Sequence, residues 1–177
     1  MGWFDQLSGR RGVPATPGLD EIFHDFARAF RGAAKGDNEI AFPELLRRDR
    51  LDGSLDSLRE VDTYLGQLHD RQGTLTAAAA EITVLWGGAY VGEVIRLNAP
   101  SGAFHWVDYK DYVPHAPKLA EILGPRDVQT CAFLVSSSGG MTMPLNKIAR
   151  FLGDGPEHSV YSFAQITMQS QDSRPAS

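Results

Sequence analysis

The chain predicts an α+β domain in which N-terminal helices pack on a small antiparallel sheet, with C-terminal helices after it. Two helical periodicities come first: Leu19, Ile22, Phe23, Phe26, Ala27 and Phe30 recur at i, i+3, i+4, and Leu55, Leu58, Val61, Leu65 and Leu68 do the same. A third stretch, Ile82 to Leu97, is apolar on every side of a helix, which places it inside a domain. From Asn98 the pattern changes to short runs rich in aromatic and β-branched residues, AFHWVDY and VQTCAFLVS, and then returns to helix.

Residues 1–15 read as a loose arm, because GRRGVPATPG is a turn-rich run. Thr16 is placed to cap the first helix, Pro17 suits its first turn, and Asp20 and Glu21 favour its positive end. Asp20, His24, Asp25, Arg28 and Arg31 form its wet face. A turn falls at Gly36 and Asp37, and one helical turn is expected at Pro43 to Arg48. Gly73 is expected to close the second helix. Thr74 or Thr76 opens the third, which would run back against the second with its glycines allowing close backbone approach. Pro100, Ser101 and Gly102 make a turn into the strand Ala103 to Tyr109, and the second strand covers Val128 to Ser136. Ser136 to Gly140 is a loop leading to a short strand at MTMPL. A helix is expected over Asn146 to Leu152, ended by Gly153. Ser159 opens the last helix, with Val160, Phe163, Ile166 and Thr167 on one face. The domain covers 16–170, and 171–177 read as a disordered tail.

Length and composition exclude more than they assign. At 177 residues, 42% hydrophobic and 22% charged, the chain fits one ordinary globular domain. Net charge is −5, with ten basic and thirteen acidic residues before Gly73 and seven and nine after it, so neither half has the footprint of nucleic-acid binding. The Arg47, Arg48, Arg50 cluster is interleaved with Glu44, Asp49 and Asp52 and reads as a self-neutralised face. A single cysteine rules out an internal disulfide. Cys131 alternates with Phe133 and Val135 onto one strand face and reads as a buried, inert thiol. No run is long and apolar enough for a membrane span, and the first residues lack the apolar core of a signal peptide. A cytoplasmic location is the expectation.

The motifs of familiar chemistries are missing. No Gly-Lys-Ser/Thr follows a strand, and Ser136 to Ser138 are not in a nucleophile elbow. His24, His69, His105, His115 and His158 include no i, i+3 or i, i+4 pair, so no metal site and no cofactor are expected. The tightest polar cluster is His105, Asp108, Tyr109, Asp111 and His115, and a strand divides it: His105, Val107 and Tyr109 face one way, Phe104, Trp106 and Asp108 the other. Glu93 stands out because it lies on the Ile82, Trp86, Ala89, Leu97 face of the apolar helix. A charged, unpaired carboxylate there costs several kcal/mol, so it needs a partner or a proton. One reading makes it a general acid or base at the floor of a pocket walled by Tyr90 and Trp106. The favoured reading makes it structural, accepting hydrogen bonds from backbone amides or a hydroxyl and pairing with a base such as Lys147 or Arg150.

Ala89-Tyr90-Val91-Gly92-Glu93-Val94, then Trp106, then Pro144-x-x-Lys147-Ile148 with Gly155, Ser159 and Phe163 resemble bacterial domains of unknown function, small stand-alone cytoplasmic proteins of which some are associated with toxin and immunity systems. The likeness spans roughly residues 55–168. Its motifs bear on the fold, and it carries no reaction with it. The expectation is a module that recognises another protein, binds no nucleic acid or membrane, and uses Tyr90, Glu93, His105, Trp106 and Asp108 as its binding residues. The alternative is a small hydrolase using Glu93.

Overall fold

A computed structural model describes residues 12–33, 37–99 and 104–172. The expected turns at Gly36 and at Pro100 to Gly102 fall at or in the gaps, and residues 1–11 and 173–177 lie outside the described residues. The elements are α1 (Leu19–Arg28), α2 (Leu58–His69), α3 (Ala77–Asn98), β1 (Phe104–Asp108), α4 (Tyr109–Tyr112), α5 (Pro117–Leu123), β2 (Ala132–Ser136), β3 (Met141–Thr142), α6 (Pro144–Asp154) and α7 (Val160–Asp172). Short 3-10 turns at Pro43–Leu45, Arg48–Arg50 and Leu55–Ser57 carry the chain from α1 to α2. The fold is α+β, as the patterns predict.

α3 is the axis of the molecule. Every residue from Trp86 to Ile95 is buried, which a helix apolar on all sides requires. Thr76 caps it, its hydroxyl accepting from the Ala79 amide. Its main neighbours are α1 and α6, with α7 beside them; α2 packs on α6 and α7, so the expected antiparallel pairing of the second and third helices does not form. The glycines serve other partners than α2. A Cβ on Gly88 would stand 2.7 Å from the Leu145 Cα of α6, and one on Gly92 would stand 2.1 Å from the indole of Trp106. Both surfaces come so close to the α3 backbone that no side chain fits between.

The sheet is antiparallel in the order β1-β2-β3, with Trp106 opposite Leu134 and Leu134 opposite Thr142. Both faces are covered. Phe104, Trp106, Ala132 and Leu134 join the main core beneath α1, α3 and α6, while Val107, Phe133 and Val135 pack under Tyr109, Tyr112 and Leu123. The alternation of β1 is the one its sequence predicts. α4 and α5, which close the second face, carry too few residues to show a helical period and are absent from the sequence reading; α4 also takes Tyr109 out of the strand. Val128 to Cys131 are turn rather than strand, so Cys131 packs toward the main core and not with Phe133 and Val135. It is partly rather than fully buried, and that burial pushes its thiol pKa up, away from the reactive thiolate.

Helix ends depart from expectation where tertiary bonds compete with local caps. Gly18, in the left-handed region at φ 74°, precedes α1, while Thr16 turns to the sheet. α2 stops at His69, before Gly73, and α6 runs through Gly153 to stop at Gly155, whose φ is 111°. α7 begins after Ser159 as expected, but its buried stripe is Val160, Ala164 and Met168, and Ile166 points to solvent. Asp62 of α2 holds that helix start, accepting from the Ser159 hydroxyl at 2.6 Å and the Val160 amide at 2.7 Å. Ile22 and Leu97, expected in the core, are exposed.

Leu65 is fully buried, and its replacement by alanine is expected to cost about 2–5 kcal/mol in a urea melt. Phe26 is only half-buried, set edge-on against Phe23, so Phe26→Ala should cost less than Leu65→Ala; the reverse order would place the core wrongly.

Candidate functional site

Glu93 is paired, but neither with Lys147 nor with Arg150. Its Oε1 accepts from Arg96 Nη1 at 2.7 Å, and its Oε2 lies 3.2 Å from His24 Nδ1. Arg96 stands three residues on, on the same helical face. From there it reaches two more acceptors, Asp20 Oδ2 at 3.0 Å and the Phe104 carbonyl at 3.1 Å. Asp20 in turn accepts from the Trp106 amide at 2.7 Å through its other oxygen. Asp20 is therefore not on a wet face: α1, α3 and β1 are tied together through one arginine. With both Glu93 oxygens engaged and its side chain 12% exposed, the carboxylate is not presented to a substrate. His24, 60% exposed, is the open end of this chain of contacts.

The same network closes the outer edge of β1. Residues 12–16 run beside the strand: the Thr16 amide donates to the Trp106 carbonyl, the Asp108 amide donates to the Thr16 hydroxyl, and that hydroxyl donates to Asp111 at 2.6 Å. His105 Nε2 lies 2.7 Å from the Val13 carbonyl; a carbonyl only accepts, so this nitrogen carries the proton. An edge so occupied cannot recruit a foreign strand. Asp108, its side chain mostly buried, accepts from Arg126 at 3.2 Å and from the Lys110 amide at 2.9 Å.

Tyr90, Glu93, His105, Trp106 and Asp108 are therefore not the walls of one pocket. Trp106 is fully buried and stacks on Phe23 with ring centroids 4.0 Å apart, and Tyr90 faces the far side of α3. The Tyr90-x-Gly92-Glu93 motif is a packing device with a separate partner for each residue. Tyr90 supports the turn at Gly53, Gly92 admits the Trp106 ring, and Glu93 anchors Arg96.

What Tyr90 supports is a polar groove of about 530 Å³ over the 3-10 turns. Its phenol donates to Ser57 Oγ at 2.7 Å and accepts from the Gly53 amide at 3.1 Å, and burial pushes its pKa up. Glu60, 7% exposed, is held in the groove by Arg47, which donates from Nη2 at 2.7 Å and Nε at 3.1 Å. That carboxylate raises the Arg47 pKa above its ordinary value. Arg59 lies over the Tyr161 ring at 3.7 Å and approaches Asp56 at 3.4 Å. Arg50, Asp49 and Asp52 complete the lining, and the Ser54 hydrogen bonds to Asp52 hold its carboxyl below the usual range. The arginine cluster is self-neutralised as expected, yet its main partners are Glu60 and Glu39 rather than Glu44 or Asp52. Arg48 points away from the groove to Glu39 and the Phe30 carbonyl.

The sequence marks Arg47, Arg50, Asp49 and Asp52 as a charged face but not as a groove, because the lining comes from two 3-10 turns and the start of α2 and has no helical or strand period. Among the described residues no three His, Cys, Asp or Glu side chains are grouped to hold a metal ion, and no helix is long and apolar enough to cross a membrane. Compared with family models, curated proteins and solved structures, the chain matches none, so the case for a site rests on the geometry of the groove.

Proposed function

We propose that the protein is a non-catalytic binding module that recognises another protein through the groove lined by Arg47, Arg50, Arg59, Asp49 and Asp56. One observation carries this reading: exposed charges of both signs are set side by side on buried supports, Glu60 and Tyr90. Alternating charge repels a polyanion in part and suits a protein surface of complementary pattern, where it gives specificity and rapid encounter. The proposed setting is a bacterial cytoplasm, where the module would act as an accessory or immunity-like protein without a cofactor. The hydrolase alternative draws no support from Glu93, whose oxygens are both engaged.

The test is Arg50→Glu combined with Arg59→Glu. Proteins co-purifying with the tagged wild type are identified and the interaction is measured with purified components. The double variant should bind at least roughly ten-fold more weakly, with a slower association that loses its salt dependence. Unchanged affinity would move the binding surface elsewhere. Nucleic-acid binding that weakens steeply with added salt would overturn the reading altogether.

A further inference from the structure

Away from the groove, α6 and α7 bring together a chain of three groups. Lys147 Nζ lies 3.5 Å from His158 Nδ1, and His158 Nε2 lies 3.3 Å from Asp154 Oδ2. An ammonium only donates, so Nδ1 is the acceptor and Nε2 carries the proton toward Asp154, which fixes one neutral tautomer. His158 is nearly buried, which holds its ring in place. Lys147 is half-buried and makes no ion pair among the described residues. Asp62 of α2, whose charge partly opposes the lowering of the amine's pKa, is held by Ser159, Val160 and Tyr161 and makes no ion pair with it. The Phe163 ring stands 5.8 Å from the amine. Arg150 lies one turn along the same helix, bonded to Asp154 at 3.3 Å. Burial first, and the Arg150 charge second, lower the amine's pKa below its ordinary value.

We infer that Lys147 is a covalent acylation site, a nucleophilic amine served by His158 and Asp154 that takes a small acyl phosphate. Half-burial restricts the donor to a small one, and the Arg150 cation favours a phosphate leaving group. In the step, His158 Nδ1 takes one proton from the ammonium and later returns it to water. The freed nitrogen pair forms a bond to the carbonyl carbon, and the bond from that carbon to the bridging oxygen breaks. Phosphate leaves with that electron pair and the second amine proton, and an amide remains on Lys147. Asp154 keeps His158 in the accepting tautomer and stabilises it once charged.

The experiment exposes the full chain to acetyl phosphate near neutral pH and follows occupancy of individual lysines by mass spectrometry. Lys110 and Lys118, both exposed, are internal references. Lys147 should react at least roughly ten-fold faster than either, and its rate should level off at a lower pH than theirs. His158→Gln should bring Lys147 down to the reference rate and leave Lys110 and Lys118 unchanged. Where that variant melts early, Asp154→Asn carries the comparison, with the same fall expected at Lys147 alone. Acetylation of Lys147 at or below the reference rate, or an unaltered rate in a folded variant, overturns the assignment.

Discussion

Gly92→Ala is expected to destabilise the protein by about 2–3 kcal/mol, although alanine is the better helix former by about 1 kcal/mol. The added Cβ would stand 2.1 Å from Trp106 Cζ2 and 2.7 Å from Cη2, where ordinary contact begins near 3.4 Å. Relief requires moving an indole that is fully buried and stacked on Phe23, and interiors this dense do not yield such a shift cheaply. The loss is a large part of the roughly 5–15 kcal/mol by which domains are stable. Gly66 in α2 supplies the control, because a Cβ there meets nothing within 4 Å. Gly66→Ala should stabilise by about 0.5–1 kcal/mol through helix propensity alone. Trp106→Phe removes the two ring atoms in conflict, together with an indole N–H that has no hydrogen-bond partner among the described residues. In urea melts Gly92→Ala should therefore cost markedly less in a Trp106→Phe background, by a coupling of about 1–2 kcal/mol. Equal costs in the two backgrounds would mean that the helix, and not the indole, gives way.

That contact shows how far the sequence could be read. The apolar girdle of α3 announces a central helix, and the alternation in Phe104 to Asp108 announces a two-faced strand, because both signals lie in consecutive residues. Three glycines in such a helix announce close approach but not to what: their partners are Leu145, Trp106 and Phe30, each distant in the chain. Thr16 and Asp20 mislead for a related reason. Each is a residue that favours a helix start, and each is drawn off by an unpaired group on the outer edge of β1. The oddity of Glu93 is visible in the sequence, and so is its need for a cation. The cation is Arg96, at i+3 on the same face, closer in the chain than Lys147 or Arg150. The charges of the groove are visible in the sequence as the interleaved cluster from Arg47 to Asp52, but its concave shape is not, since it exists only once the turns from Arg47 to Ser57 fold against Glu60 and Tyr90.

Arg96→Met is expected to cost about 2–4 kcal/mol, a little below the range for breaking a fully buried pair because the guanidinium retains some contact with water. The loss has three parts. Glu93 keeps only His24, Asp20 loses its cation, and the Phe104 carbonyl loses a donor at the edge of the sheet. Glu93→Gln keeps the shape and removes one charge, so it should cost less, about 1–3 kcal/mol, and leave partner binding intact in the folded protein. Combining Arg96→Met with Glu93→Gln decides what the network is for. If Arg96 exists to neutralise Glu93, the double variant should be more stable than the sum of the single losses predicts, because the buried charge that made Arg96→Met expensive has gone. If Arg96 acts chiefly through Asp20 and Phe104, the losses should add, and Glu93 would be the minor member of its own cluster. A loss below about 0.5 kcal/mol in Arg96→Met would place the whole network among surface ion pairs that contribute little. The tie between α1, α3 and β1 would then come from core packing, the Phe23 and Trp106 stack included, and from the Asp20 bond to the Trp106 amide.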